Sequence, residues 1–348
     1  MNLKEVTIII PTHNRNFLLK RSIDYYLNFN CNIIICDSSE IQTFDFLNHT
    51  NIIYLHLQNT TFAKKLFNAV THVKTKYACL SADDDFLSKK GIYEGISFLE
   101  NNIDYFSVQG KYVHFYCNKN NNYTTHNLYD AAGLIHYNSE SPLQRVADSS
   151  KNGMQLLYAL HRTEALLSSL KVSEECIPLT MVEYTSNLIP LFYGKHIMLN
   201  IFWMARDSAR YTIYESKSNS ITSILSPLDL INYFNTNNGF EFKKLFITKF
   251  EEVTNLDIND AEKLFYEVFF QNYIQNYIKQ ILDKKNTTII RILKNNYFKY
   301  LFAIKYLYNK IIKNDQNFIF PFKEFEDDWN LIKFYLIKYN KQIENVKN

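Results

Sequence analysis

Tyr77–Phe86 reads YACLSADDDF: four apolar residues and a serine, a single alanine, then three adjacent carboxylates, Asp83, Asp84 and Asp85. Neighbouring carboxylates raise one another's pKa unless a cation or positive side chains compensate, so the cluster needs water or a partner. A short apolar run that stops on charge reads as a strand delivering a turn to one edge of a sheet.

Upstream, the same punctuation recurs. Val6–Pro11 (VTIIIP) reads as a first strand, Phe17–Asn28 as an amphipathic helix and Ile33–Asp37 (IIICD) as a second strand. Ile52–Leu57 follows as a third strand, Thr61–Lys74 as a helix and Tyr77–Ser81 as a fourth strand. Downstream, residues 89–102 read as a helix and Tyr105–Cys117 as a longer strand or hairpin. Strands alternating with helices predict a mostly parallel sheet covered on both faces. In such sheets ligands bind beyond the carboxyl ends of the strands, where strand order reverses. Three successive strand ends carry polar residues to that edge: Pro11-Thr12-His13-Asn14-Arg15, Asp37-Ser38-Ser39 and Ala82-Asp83-Asp84-Asp85. Taken singly, each has a structural explanation as a helix cap, an Asx turn or a solvated turn; together they point to a ligand site.

Residues 118–225 show no single pattern. From about Pro227 the periodicity becomes helical, as in Asp260–Leu282 and Thr288–Ile312, so we expect an α/β unit over 1–225 and an α-helical C-terminal domain over 226–348.

Composition sets the bounds. The 348 residues are 47% hydrophobic and 16% aromatic, enough for a sizeable core, and 7 Gly and 6 Pro argue against flexible linkers or a turn-dense all-β fold. Five cysteines without a CxxC pair suggest neither a disulfide framework nor a zinc site, and a reducing cytosol is expected. No secretion signal and no apolar run near the ~18 residues of a membrane span is apparent. The formal charge of +3 is uneven: residues 226–348 hold 18 basic against 15 acidic residues. The excess concentrates in Lys284–Lys313, which interleaves eight basic residues with Ile, Leu, Phe and Tyr and contains no acidic one. Such a segment fits a helix packed by its apolar face, or a peripheral contact with an anionic inner membrane surface. No nucleic-acid motif accompanies it.

The opening VTIIIPTHNR, the IIICDSS strand end and NTTFAKKLFNAVTHVKTKYACLSADDDF together resemble the family 2 nucleotide-sugar glycosyltransferases, which have the GT-A fold. YALHRTEALL (Tyr158–Leu167) and EYTSNLIPLFYGK (Glu183–Lys195) extend the resemblance. It implies a Rossmann-like, mixed and mostly parallel sheet, and an enzyme moving a sugar from a nucleoside diphosphate, UDP by family frequency, to a glycan or lipid-linked glycan acceptor. Capsule or lipooligosaccharide synthesis is the implied setting. By the resemblance Pro11, Thr12 and Arg15 hold the nucleoside, Asp37 contacts the base, Asp83 the ribose, and Asp84 or Asp85 a Mn²⁺ or Mg²⁺ ion, with Lys65 near the diphosphate. Ala82 stands where the family most often has its first Asp, so the register of the metal ligand stays open among the three aspartates. Glu183, followed by Tyr184 in place of a more usual Asp, matches the family's general base at the start of a helix. Arg206 and Arg210 match a basic position on a mobile loop, and His161 is a candidate for the acceptor side. The missing Asp and Tyr184 also admit a non-catalytic protein that keeps a degenerate sugar-nucleotide pocket.

Overall fold

The computed structural model describes residues 3–42, 49–117, 123–128, 134–152, 156–207, 227–278 and 320–347. Within them ten strands form one sheet. β1 (Val6–Thr12) lies between β2 (Asn32–Asp37) and β4 (Tyr77–Leu80), parallel to both, and β3 (Ile52–His56) continues parallel beyond β2. β9 (Leu160–Arg162) runs antiparallel to both β4 and β6 (Tyr105–Cys117), and β10 (Lys195–Asp207) is parallel to β6. β3, β2, β1, β4, β6 and β10 therefore all point the same way, and their carboxyl ends share one edge. Three short strands add antiparallel pairings: β5 (Phe86–Leu87) and β8 (His136–Tyr137) on β10, and β7 (Tyr123–Leu128) on β6.

The apolar strands are continuous rather than alternating because both faces are covered. Ile8, Ile10, Ile33, Ile35 and Cys79 face a core shared with α1 (Asn16–Tyr26) and α3 (Lys89–Asn101). Their sequence neighbours Ile9, Ile34, Cys36, Ala78 and Leu80 face a second core with α2 (Phe62–Thr71) and α5 (Thr163–Val172). This is the two-residue period of a strand expressed on two buried faces. A third core, rich in Phe, joins α4 (Pro142–Asn152), α6 (Leu179–Leu188) and α7 (Pro190–Tyr193) to α8 (Pro227–Phe234), α9 (Asn237–Thr254) and α10 (Ile258–Tyr266). The C-terminal helix, Glu326–Lys347, returns to the first core, where Trp329, Ile332, Tyr335, Leu336 and Tyr339 are buried and Tyr335 meets Tyr25 edge to face at 5.9 Å.

The expected α/β architecture is thus present, with helices after Pro227. The sequence reading passed over β10, because KHIMLNIFWMARD alternates in its first half and then buries Phe202, Trp203, Met204 and Ala205 in succession. Thr288–Ile312 and the basic segment Lys284–Lys313 lie outside the described residues. Among the described residues no helix is long and apolar enough to cross a membrane.

Candidate functional site

Strand order reverses between β1 and β4, and the loops leaving those strands meet. Thr12 Oγ1 donates to Asp83 Oδ2 at 2.7 Å, Arg15 Nη1 lies 3.1 Å from Asp83 Oδ1, and Arg15 Nη2 pairs with Asp84 Oδ2. From α1, Arg21 Nη2 donates to the Asp84 carbonyl at 3.0 Å while its guanidinium covers the Phe86 ring. Asp83 is 1% exposed, and the Asp84 side chain is 29% exposed, so Asp84 is the carboxylate within reach of a ligand.

Asp85 is turned toward β10. Its Oδ1 accepts the Asp207 N–H at 2.9 Å and its Oδ2 lies 3.5 Å from Arg206 Nε. Arg206 is held over the rings of Tyr158 at 5.3 Å and Tyr112 at 5.9 Å. It stands at the carboxyl end of a strand, not on the loop expected, because β10 extends through Asp207 and its ladder with β6 pairs Arg206 with His114.

Burial explains the electrostatics. It raises the Asp83 carboxyl to about 6, helped by the charge of Asp84 and opposed by Arg15, Thr12 and Lys65. Burial and Asp84 together raise Asp85 to about 8 against the pull of Arg206. Glu183, half-buried on α6, is also raised by burial, with Arg206 opposing. The Tyr158 hydroxyl is raised by its own burial and further by the charges of Asp85, Asp84 and Glu183, against the pull of Arg206. α6 begins at Leu179, so Glu183 lies in its second turn and owes nothing to the N-terminal dipole, which acts within the first.

The second strand end is built differently. Asp37 is fully buried; Oδ1 accepts from the Ser39 N–H at 2.8 Å and from the Ser39 hydroxyl, and Oδ2 accepts from the Tyr54 hydroxyl at 2.6 Å. Ser39 Oγ in turn accepts the N–H of Asn14, whose φ is 52°, a left-handed turn that asparagine tolerates. Lys65 is 4% exposed, donates to the Thr12 carbonyl at 2.6 Å and to Ser38 Oγ at 3.1 Å, and has its pKa lowered by burial. It ties the ends of β1 and β2 from beneath.

The structure thus brings Pro11, Thr12, Arg15, Asp37, Lys65, Asp83, Asp84, Asp85, Glu183 and Arg206 to one sheet edge. His161 is a correction to the acceptor-side expectation. It is fully buried in the middle of the sheet on β9, with Nε2 2.8 Å from the Leu156 carbonyl, and burial lowers its pKa to about 4. Arg210 lies outside the described residues. Sequence reading missed Arg21, Tyr54, Tyr112 and Tyr158; of these only Arg21, a charge on the apolar side of an amphipathic helix, leaves a trace in the sequence.

Among the described residues no group of three or more His, Cys, Asp or Glu side chains is arranged to hold a metal ion. The donor chemistry nevertheless suits a hard divalent cation. Asp83 Oδ1 is buried without a hydrogen bond, answered only by the Arg15 ion pair, and the Asp84 side chain, though paired with Arg15, is partly exposed. Carboxylate oxygens completed by phosphate oxygens are the ligands Mg²⁺ and Mn²⁺ prefer.

Residues 7–158 match the family model described as Glycosyl transferase family 2. Among solved structures, S. aureus TarS 1-349 in complex with UDP is similar at 13% identity and a TM-score of 0.46, covering 78% of this chain and 72% of that one. S. aureus TarS is similar at 12% identity and 0.43, covering 80% of this chain and 54% of that one. S. aureus TarS 1-349 in complex with UDP-GlcNAc is similar at 12% identity and 0.43, covering 80% and 89%. No curated protein matches the chain. The strand ends carrying Thr12, Asp37 and Asp83 to Asp85 all fall inside residues 7–158, the segment that is similar to glycosyl transferase family 2.

Proposed function

We propose that the protein transfers a sugar from a nucleoside diphosphate sugar, with UDP-sugars the first class to test, to a glycan acceptor of surface polysaccharide such as capsule or lipooligosaccharide, with inversion at the anomeric carbon. The observation that carries this reading is the gathering of Arg15, Asp83, Asp84, Arg206 and Glu183 at one edge of the sheet, from β1, the loop after β4, β10 and α6. The nucleoside lies along Pro11 and Thr12, with its base toward the strand end Asp37–Ser39 and its ribose toward Asp83. Because Asp37 spends both oxygens on Ser39 and Tyr54, it acts on the base chiefly by fixing that wall.

Asp84 would hold a divalent cation, Mn²⁺ or Mg²⁺, together with the donor's phosphates, and the ion would supply Lewis-acid stabilisation of the departing diphosphate. Asp85, engaged with Asp207 and Arg206, is the weaker ligand candidate. Arg15 and Arg206 place fixed positive charge on either side of the leaving group. In the displacement the acceptor oxygen bonds to the anomeric carbon as the bond from that carbon to the β-phosphate oxygen breaks. The acceptor's proton passes to Glu183, whose raised pKa brings it nearer to neutrality and makes it a better base. A cytoplasmic site of action follows from the use of nucleotide sugars, and a peripheral membrane contact through 284–313 remains part of this reading.

Release of nucleoside diphosphate from a panel of sugar nucleotides in Mn²⁺ tests the proposal, beginning with UDP-GlcNAc, named for a S. aureus TarS complex. Turnover abolished by Asp84→Asn supports the metal-side assignment. A chain that binds no nucleotide with or without Mn²⁺ would instead be a degenerate pocket.

A further inference from the structure

α3 begins badly for a helix. Its first turn holds Lys89 and Lys90 and no acidic residue, so two positive charges sit on the positive end of the macrodipole. It also begins immediately after the aspartate loop, since only β5 and Ser88 separate Asp85 from Lys89. Whatever anchors this helix start anchors the loop.

The anchor comes from 240 positions along the chain. Asp328 Oδ2 accepts the Lys90 N–H at 2.9 Å and the hydroxyl of Ser88, the N-cap residue whose Oγ accepts the Gly91 N–H at 2.8 Å. Lys90 Nζ donates to the Glu324 carbonyl at 2.9 Å and covers the Phe325 ring. Asp328 lies in the first turn of its own helix, so one carboxylate serves two helix N-termini. The helix that carries it is fixed by buried Trp329, Ile332 and Leu336 and by the Tyr335–Tyr25 contact. α1, clasped between that helix and the sheet, grips the same loop: Tyr25 donates to the Leu87 carbonyl at 2.7 Å, Tyr26 accepts the Leu87 N–H at 2.9 Å, and Arg21 donates to the Asp84 carbonyl.

We propose that Asp328 is a positioning residue for the aspartate loop: the C-terminal helix supplies the charge that α3 lacks and thereby sets the place of Asp83 and Asp84. The functional half of this statement rests on the glycosyltransfer reading; the structural half does not.

Two measurements on the full chain, made well below the melting temperature, separate them. In Asp328→Ala, amide exchange at Asp85, Leu87, Ser88 and Gly91 should accelerate about tenfold, the loss expected of a missing cap, while amides of β1 and β2 keep their wild-type rates. Binding of UDP in Mn²⁺, read by calorimetry, should weaken about tenfold, and Lys89→Glu in the same background should restore both by supplying the missing charge. Loop exchange within twofold of wild type, or acceleration spread evenly over the molecule, overturns the proposal. So does a loosened loop with unchanged UDP affinity. Where Asp328→Ala does not fold, Asp328→Asn keeps the acceptor, loses the charge and is held to the same criteria. If wild type and variants alike fail to bind UDP in Mn²⁺, the glycosyltransfer reading and the functional half of the proposal fall together, and exchange still decides whether Asp328 holds the loop.

Discussion

Replacing Arg15 with Met keeps most of the side-chain volume and removes the cation that faces Asp83 at 3.1 Å. The buried carboxylate then either stays charged without its partner or takes up a proton, and the proton sets the upper limit of the cost. In the wild type Asp83 titrates at about 6 against 3.8 for an ordinary Asp, with burial as the first cause and Arg15 the largest opposing one. At pH 8 the wild type therefore already loses about 3 kcal/mol by burying this carboxylate, at 1.36 kcal/mol per pH unit. Keeping Asp83 neutral at pH 8 in the variant costs about 6 kcal/mol, so the part of the added penalty that comes from Asp83 cannot exceed about 3 kcal/mol. At pH 5 Asp83 is protonated in both proteins and that part vanishes, leaving the loss of the Asp84 ion pair. The sign follows from linkage: a carboxylate with a raised folded pKa removes stability as pH rises above its unfolded value. Urea unfolding of wild type and R15M at pH 5, 6, 7 and 8 measures the difference, which should grow steadily toward the alkaline end, and that growth should disappear when R15M is compared in a D83N background. A difference that is flat with pH, or largest at pH 5, would refute the ion-pair account and leave Arg15 as a packing residue.

Glu183→Gln should lower kcat by about 10²–10⁴-fold with little change in KM for the donor, as expected when a general base is lost; a wild-type rate would send the search for the base elsewhere. Thr12→Val removes the hydroxyl that donates to Asp83 Oδ2 and should cost about 1.5–3 kcal/mol above pH 7, where the acceptor is charged, and clearly less at pH 5, by denaturant unfolding. His161 is held neutral, with its pKa lowered to about 4, so it withdraws stability as pH falls from 6.5 toward 4. Asp83 and Asp85 pull the opposite way over that interval. The quantity to read is thus the gap between wild type and His161→Leu, which should narrow on acidification by urea unfolding; a constant gap would mean that the ring is solvated.

The part of the fold legible in the sequence was the part built from local period. Val6–Thr12, Asn32–Asp37 and Tyr77–Leu80 are continuous apolar runs with polar ends, and each emerged within a residue or two of its expected bounds. Their convergence was legible for the same reason, since parallel strands leave no choice about which edge their carboxyl ends share. β10 was not, because its second half buries every residue, and a run of that kind does not distinguish a strand from a buried helix segment. His161 misled because a histidine beside an arginine in a strand-like segment looks functional until its neighbours close over it. The aromatic clasp on Arg206 was invisible: Tyr112 and Tyr158 come from β6 and from the stretch preceding β9, and nothing in the chain near either announces a cation. Asp328 was hidden by distance alone.

β9 has a mechanical consequence. Three residues long, it is the sole link among the described strands between the β3-β2-β1-β4 half of the sheet and the β6-β10 half, through two register pairs on each side. A sheet narrowed to three residues bends most readily at that waist. The first half carries Thr12 and Arg15 and the second carries Arg206, while the aspartate loop runs from β4 into β5, which pairs with β10. Flexure at β9 would therefore alter the gap between the two arginines, and the Asp85 carboxylate, bonded to the Asp207 N–H, is a tether that limits how far it opens.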